Sequence, residues 1–271
     1  VLTGYGGMFS MGQAGFMTIG AYFAACFNVY AGIPYILSVI LGGLAATICA
    51  IFIGFPVLKN KLTGDYFAVC MLGFGEAVRL IAANIKPFIN GAMGLTGIPR
   101  KTTIGIVIIF TIVLIYLINN YLKSHYGRNL IAIRQQEVAA EMMGMNIMRN
   151  KMWALAISGF TCGLAGGLYA FYATSMYPTT YGSAKSTDLL AAVIFGGINS
   201  LSGPMMAAIV LAAMPEVLRA FSMWRLVIYG LMFVVIMLFR PEGLFGNKEI
   251  PSELKKLFKK FSKCSKAKGE K

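Results

Sequence analysis

PYILSVILGGLAATICAIFIGFPVL, residues 34–58, carries no Asp, Glu, Lys, Arg or His. A helix needs about 20 mostly apolar residues to cross roughly 30 Å of hydrocarbon. This stretch is therefore a membrane crossing on its own. The same lack of charge extends back to Val1, so residues 1–58 hold two crossings. The first covers 11–30, and Gly32, Ile33 and Pro34 make the turn between them.

Working outward, Lys59-Asn60-Lys61 marks a short basic loop. A third apolar segment covers 64–83 and contains Glu76 and Arg79. A polar loop with Gly91, Gly94, Gly97 and Pro99 follows. The Ile-rich fourth segment, 103–122, is uncharged. Residues 123–151 are too polar to cross, holding Lys123, Arg128, Arg134, Glu137, Glu141, Arg149 and Lys151. They are long enough for short helices, and 127–146 is expected to be one helix with Gly144 as its C-terminal stop. The fifth segment covers 152–176, and a loop with Pro178, Gly182 and Lys185 follows it. Residues 189–215 are interrupted by Gly196, Gly197, Gly203 and Pro204, which predicts two short helices meeting at a break. Such backbone is tolerated at membrane depth only where protein or a cavity surrounds it. A last segment covers 223–239. The expected fold is all-α and polytopic, with about eight membrane-embedded elements in one domain over 1–246. A Lys-rich tail over 247–271 follows.

Charge distribution sets the expected orientation. The net charge is +14, but nine lysines fall after Arg240 and most other cations lie in loops. That is the positive-inside pattern rather than a nucleic-acid face. It places 123–151 and the tail in the cytoplasm. An even number of crossings then puts Val1 there too. Lys86, Arg100 and Lys101 lie on the opposite side and pull against this scheme. In the tail, Leu254, Leu257, Phe258 and Phe261 recur at helical spacing among lysines, as in a helix resting on anionic lipid. A solvated basic tail is the other reading. The chain begins at Val1 rather than Met, so an upstream segment is expected.

Several chemistries are disfavoured. Cys26, Cys49, Cys70, Cys162 and Cys264 are scattered and odd in number, with no CxxC spacing. His125 is the only histidine. Neither a metal set nor a Ser/His/Asp constellation is present in the pattern. Gly4-Tyr5-Gly6-Gly7 and Gly73-Phe74-Gly75 lack the Lys-Ser/Thr of a phosphate loop. An ion-coupled carrier would place acidic groups at mid-membrane, and Glu76 is the one clear candidate.

Glu76 and Arg79, three apart, can meet on one helix face. They are either a pathway or gating pair or a structural ion pair. Gln13 and Tyr22 in the first segment are further pathway candidates, and Gln13 could equally bond a neighbouring helix. Gly159, Gly163 and Gly167 form a small-residue face for close packing, within the chain or against a sister subunit.

The stretch 127–146, GRNLIAIRQQEVAAEMMGMN, is the most informative. Arg134, Glu137, Ala139, Ala140, Glu141 and Gly144 resemble the coupling loop of ABC-importer permeases. Val138 interrupts the Glu-Ala-Ala run, and no Leu-Pro follows. Other segments add to the likeness. They are Gly12-Gln13-Ala14-Gly15-Phe16, Gly20-Ala21-Tyr22, Tyr66-Phe67-Ala68, Gly94-Leu95-Thr96-Gly97-Ile98-Pro99 and Arg240-Pro241-Glu242-Gly243-Leu244. Together they resemble the branched-chain amino-acid ABC permease family of LivM and LivH type, the LivM type most closely.

The resemblance implies a type II importer architecture and a subunit that forms half of a translocation pathway in the bacterial inner membrane. It implies a LivH-like sister permease, two ATPases of LivG and LivF type, and an external substrate-binding protein. ATP and Mg would be held by the ATPases, and this chain would bind no cofactor. Glu137, Ala139, Ala140, Glu141 and Gly144 would contact an ATPase. The solute would be leucine, isoleucine, valine or a related amino acid, with urea as the alternative in the same broad family.

Overall fold

The computed structural model describes residues 1–62, 64–197, 200–217 and 230. The chain divides into two compact units, Val1–Asp188 and Leu189–Lys271. In chain order the helices are α1 (Gln13–Ala31), α2 (Tyr35–Lys59), α3 (Asp65–Asn84), α4 (Lys86–Ile89), α5 (Ile104–Lys123), α6 (His125–Gln135), α7 (Glu137–Met142), α8 (Ile147–Ala173), α9 (Ser183–Gly196) and α10 (Ser202–Val217). Five of them, α1, α2, α3, α5 and α8, are long and apolar enough to cross a membrane. The expected segment at 223–239, Gly230 apart, and the tail at 247–271 lie outside the described residues.

Local chemistry sets the helix ends. Gly32 closes α1 in the left-handed region, at φ 63°. The Asn28 amide donates to the Ile33 carbonyl at 2.7 Å and fixes the turn into α2. Pro34 precedes the first turn of α2, where a missing N–H is harmless. Asn146 caps α8 by accepting from the Arg149 N–H at 3.0 Å.

The core of the larger unit is α1, α2 and α8 packed together. Small residues set the approach. A methyl group added at Gly159 would lie 2.6 Å from the Ala50 Cβ, and one at Gly163 would lie 2.6 Å from the Ala46 Cβ. The glycine face of α8 is therefore spent inside the chain, on α2, with Gly167 against Ala24 of α1. Two clusters line this core. One is built around Tyr22, Leu168 and Phe171, the other around Phe16, Leu130 and Leu155.

With each of these five long apolar helices crossing once, the linkers alternate sides. The 60–64 loop and the segment between α5 and α8 share one side. The α1–α2 turn, the 85–103 connection and the segment after α8 share the other. The second side is pinned by a two-residue antiparallel pair, β1 (Leu95–Thr96) with β2 (Ser175–Met176), in register Leu95 to Met176. The Tyr35 and Thr102 hydroxyls bond at 2.8 Å beside it.

Three expectations need correction. Residues 127–146 are not one helix: Gln136 is extended, at φ −157° and ψ 106°, and separates α6 from α7. The helix that carries the fifth apolar segment starts at Ile147, five residues before that segment, because a cap at Asn146 opens it and Arg149 and Lys151 lie in its first turns. Lys185 lies in the first turn of α9, not in a loop.

Candidate functional site

The polar segment between α5 and α8 folds into a hairpin of short helices. Ser124 caps α6, its hydroxyl accepting from the Gly127 N–H at 3.5 Å. Gly127, Leu130 and Ile133, three apart, are the buried face of α6. The Arg134 guanidinium donates to the Gly4 carbonyl and ties α6 to the start of the chain.

α7 has only six residues, so its shape depends on its ends. Gly144 has φ 77°. Its N–H donates to the Glu141 carbonyl at 2.9 Å, and the Met145 N–H donates to the Ala140 carbonyl at 3.1 Å. This paired closure needs a left-handed residue, which glycine takes at no steric cost. At the other end, Glu137 pairs with Lys151 of α8. The Lys151 side chain is 6% exposed and that of Glu137 is 44% exposed, so the carboxylate covers a cation held inside the protein.

The result is a short helix anchored on one face and bare on the other. Ala140 is buried at 5% exposure, beneath α7. Val138 is 70% exposed, Met142 84% and Met143 79%. Arg134, Ala139, Glu141 and Gly144 are exposed beside them. Of the residues singled out from the sequence, Ala140 points inward while Val138, which breaks the expected motif, faces out. The two methionines were not singled out. Their signal was available: large apolar side chains on a short helix outside any crossing need a partner. Beside α7 runs a groove of about 470 Å³, lined by Leu58, Lys61, Val138, Glu141, Met145 and Lys151.

The candidates inside the membrane form a different arrangement. Arg79 Nε and Glu76 Oε2 lie 2.7 Å apart, as the i,i+3 spacing predicts. The other Glu76 oxygen accepts from the Ser183 N–H at 2.8 Å, the first amide of α9. A carboxylate suits a helix N-terminus, where backbone N–H groups lack partners. Ser186, three residues on, accepts from the Ala14 N–H of α1 at 3.2 Å. The segment 181–186 thus ties the starts of α1 and α9 to the middle of α3. Tyr22 and Tyr181 lie in the same buried cluster. Neither phenol oxygen, nor the Gln13 side-chain carbonyl, has a hydrogen-bond partner among the described residues. Neither Gln13 Oε1 nor the Tyr22 hydroxyl therefore bonds to the Glu76–Arg79 pair.

In the smaller unit, α9 ends at Gly196 and α10 begins at Ser202. The backbones of Gly196, Gly203 and Pro204 touch, and any side chain at either glycine would overlap the other strand of chain.

Residues 1–237 match the family described as branched-chain amino acid transport system, permease component. The chain is 30% identical to the high-affinity branched-chain amino acid transport system permease protein LivM of Escherichia coli K12, over 90% of this chain and 65% of that protein. The LivM protein of Salmonella typhimurium gives the same identity and coverage. A probable LivM of Methanocaldococcus jannaschii is 25% identical over 79% of this chain and 69% of its own length. The chain therefore spans about 65% of the first curated relatives it matches. No solved structure matches it.

Proposed function

The chain belongs to the family of branched-chain amino acid transport permease components, and from that premise we propose that it forms half of the membrane pathway of an ATP-driven importer of leucine, isoleucine or valine. The observation that carries this reading is α7, an anchored helix that turns Val138, Met142 and Met143 outward beyond the membrane. A detached motor subunit is the partner such a knob fits. ATP and Mg belong to two ATPases of LivG and LivF type, and a LivH-like permease supplies the other half. An external binding protein delivers the solute.

The side of α7 is the cytosol of a bacterial inner membrane. Lys59, Lys61, Lys123, Arg128, Arg134, Arg149 and Lys151 gather on it, while Lys86, Arg100, Lys101 and Lys185 lie opposite. The C-terminal tail joins the first side. Force on α7 reaches α8 through Glu137 and Lys151. From α8 it reaches α1 and α2 through the close glycine contacts. The three helices are thus built to move as one body between two states. An ion-coupled carrier is disfavoured, since Glu76 is already held by Arg79 and the Ser183 amide.

The test is leucine uptake into vesicles holding the assembled complex. Uptake should require ATP. Val138→Asp with Met142→Asp, or Gly144→Pro, should remove most of it while the chain still inserts. Normal uptake in these variants, or uptake by the single chain unaided, overturns the reading.

A further inference from the structure

A second cleft, of about 390 Å³, lies where α2 ends and α8 begins. Ile51 and Phe55 form one wall, and Met152 and Trp153 form the other. Asn146 and Arg149 stand at its rim. Arg149 is exposed, and no ion pair holds it among the described residues. Lys59 adds a second cation, its ammonium 5.9 Å from the Phe55 ring centre. Among the described residues, no carboxylate lines the cleft. The Tyr126 ring lies against the Trp153 indole, centres 6.3 Å apart.

Below this rim the surface is apolar. Ile48, Ile51, Phe52 and Phe55 are exposed along one face of α2 and offer a partner protein no polar side chain. An apolar groove that ends in an arginine and an indole, with a lysine over one of its wall residues, suits an amphiphile with an anionic head. We propose that this cleft is a binding site for an anionic phospholipid, its acyl chain along α2 and its phosphate against Arg149. The site is separate from the bare face of α7 and does not rest on the transport reading. It needs only that α2 and α8 cross the membrane.

The sequence has two tryptophans, so Trp224→Phe leaves Trp153 as the sole indole emitter. The full chain in that background is placed in phosphatidylcholine bilayers containing either brominated phosphatidylglycerol or brominated phosphatidylcholine. Bromine on an acyl chain quenches an indole it touches. The anionic lipid should reach half-quenching at a mole fraction about fivefold lower, the preference one interfacial cation confers. Arg149→Gln should bring the two lipids within about twofold, and Arg149→Lys should keep the preference. Equal quenching in the parent chain overturns the proposal, as does a preference unchanged in Arg149→Gln or lost in Arg149→Lys. Failure of both lipids to quench also overturns it, since protein would then cover the cleft.

Discussion

Lys151 is a cation in the first turns of a crossing helix, buried except where Glu137 covers it. The two sides of this pair are unequal. Deleting the carboxylate strands a buried ammonium, whereas deleting the ammonium strands a half-exposed carboxylate that water can reach. Glu137→Gln should therefore cost more than Lys151→Met, by about 1–3 kcal/mol. Thermal midpoints of the two variants in detergent check this, and equal midpoints would contradict the asymmetry. The pair could not be foreseen. Glu137 and Lys151 are 14 apart, beyond any spacing on one helix. Their meeting depends on the break at Gln136 and on the Gly144 closure that folds α7 back. Glu76 and Arg79 were legible because three residues apart on one helix is a fixed geometry. The Ser183 amide that completes their site was not.

At the scale of elements, long uncharged runs show themselves, and α1, α2, α3 and α5 lie where the apolar stretches put them. The start of α8 was obscured because its foot carries Arg149 and Lys151, and the polar Ser183–Lys185 similarly hid the start of α9. A capped backbone continues as helix whatever the polarity of its side chains, so hydropathy marks the crossing and not the helix. The β1–β2 pair joins residues about 80 apart and left no local trace. The glycine repeat of α8 was legible as a packing face, but its partner was not, and the structure gives α2. Gly163→Val should then destabilise by about 1–3 kcal/mol or more, since even its Cβ would meet the Ala46 Cβ at 2.6 Å. Gly73 of α3 has open space around its missing Cβ, so Gly73→Ala should be neutral or gain up to about 1 kcal/mol from helix propensity. Parallel melts of both variants separate a packing role from a general dislike of side chains in these helices. A loss of similar size at Gly73 would refute the distinction.

For the whole molecule, the alternation of five crossings makes a claim stronger than any single contact. The bare end of α7 and the 85–103 connection must lie on opposite faces of the bilayer. Val138 and Met93 report the two sides, and both are strongly exposed. In a background with Cys26, Cys49, Cys70, Cys162 and Cys264 changed to serine, each position would carry the sole thiol. Val138→Cys should react with a membrane-impermeant maleimide only in inside-out vesicles, and Met93→Cys only in right-side-out ones. Charge alone argues weakly here, because Arg100 and Lys101 share the 85–103 connection with Met93. The β1–β2 pair holds that connection against the end of α8, and it follows α8 wherever α8 ends. If both thiols react from the same face, α5, the one long helix between Met93 and Val138, does not cross. The face of α7 proposed above to meet an ATPase would then lie in the wrong compartment for that partner.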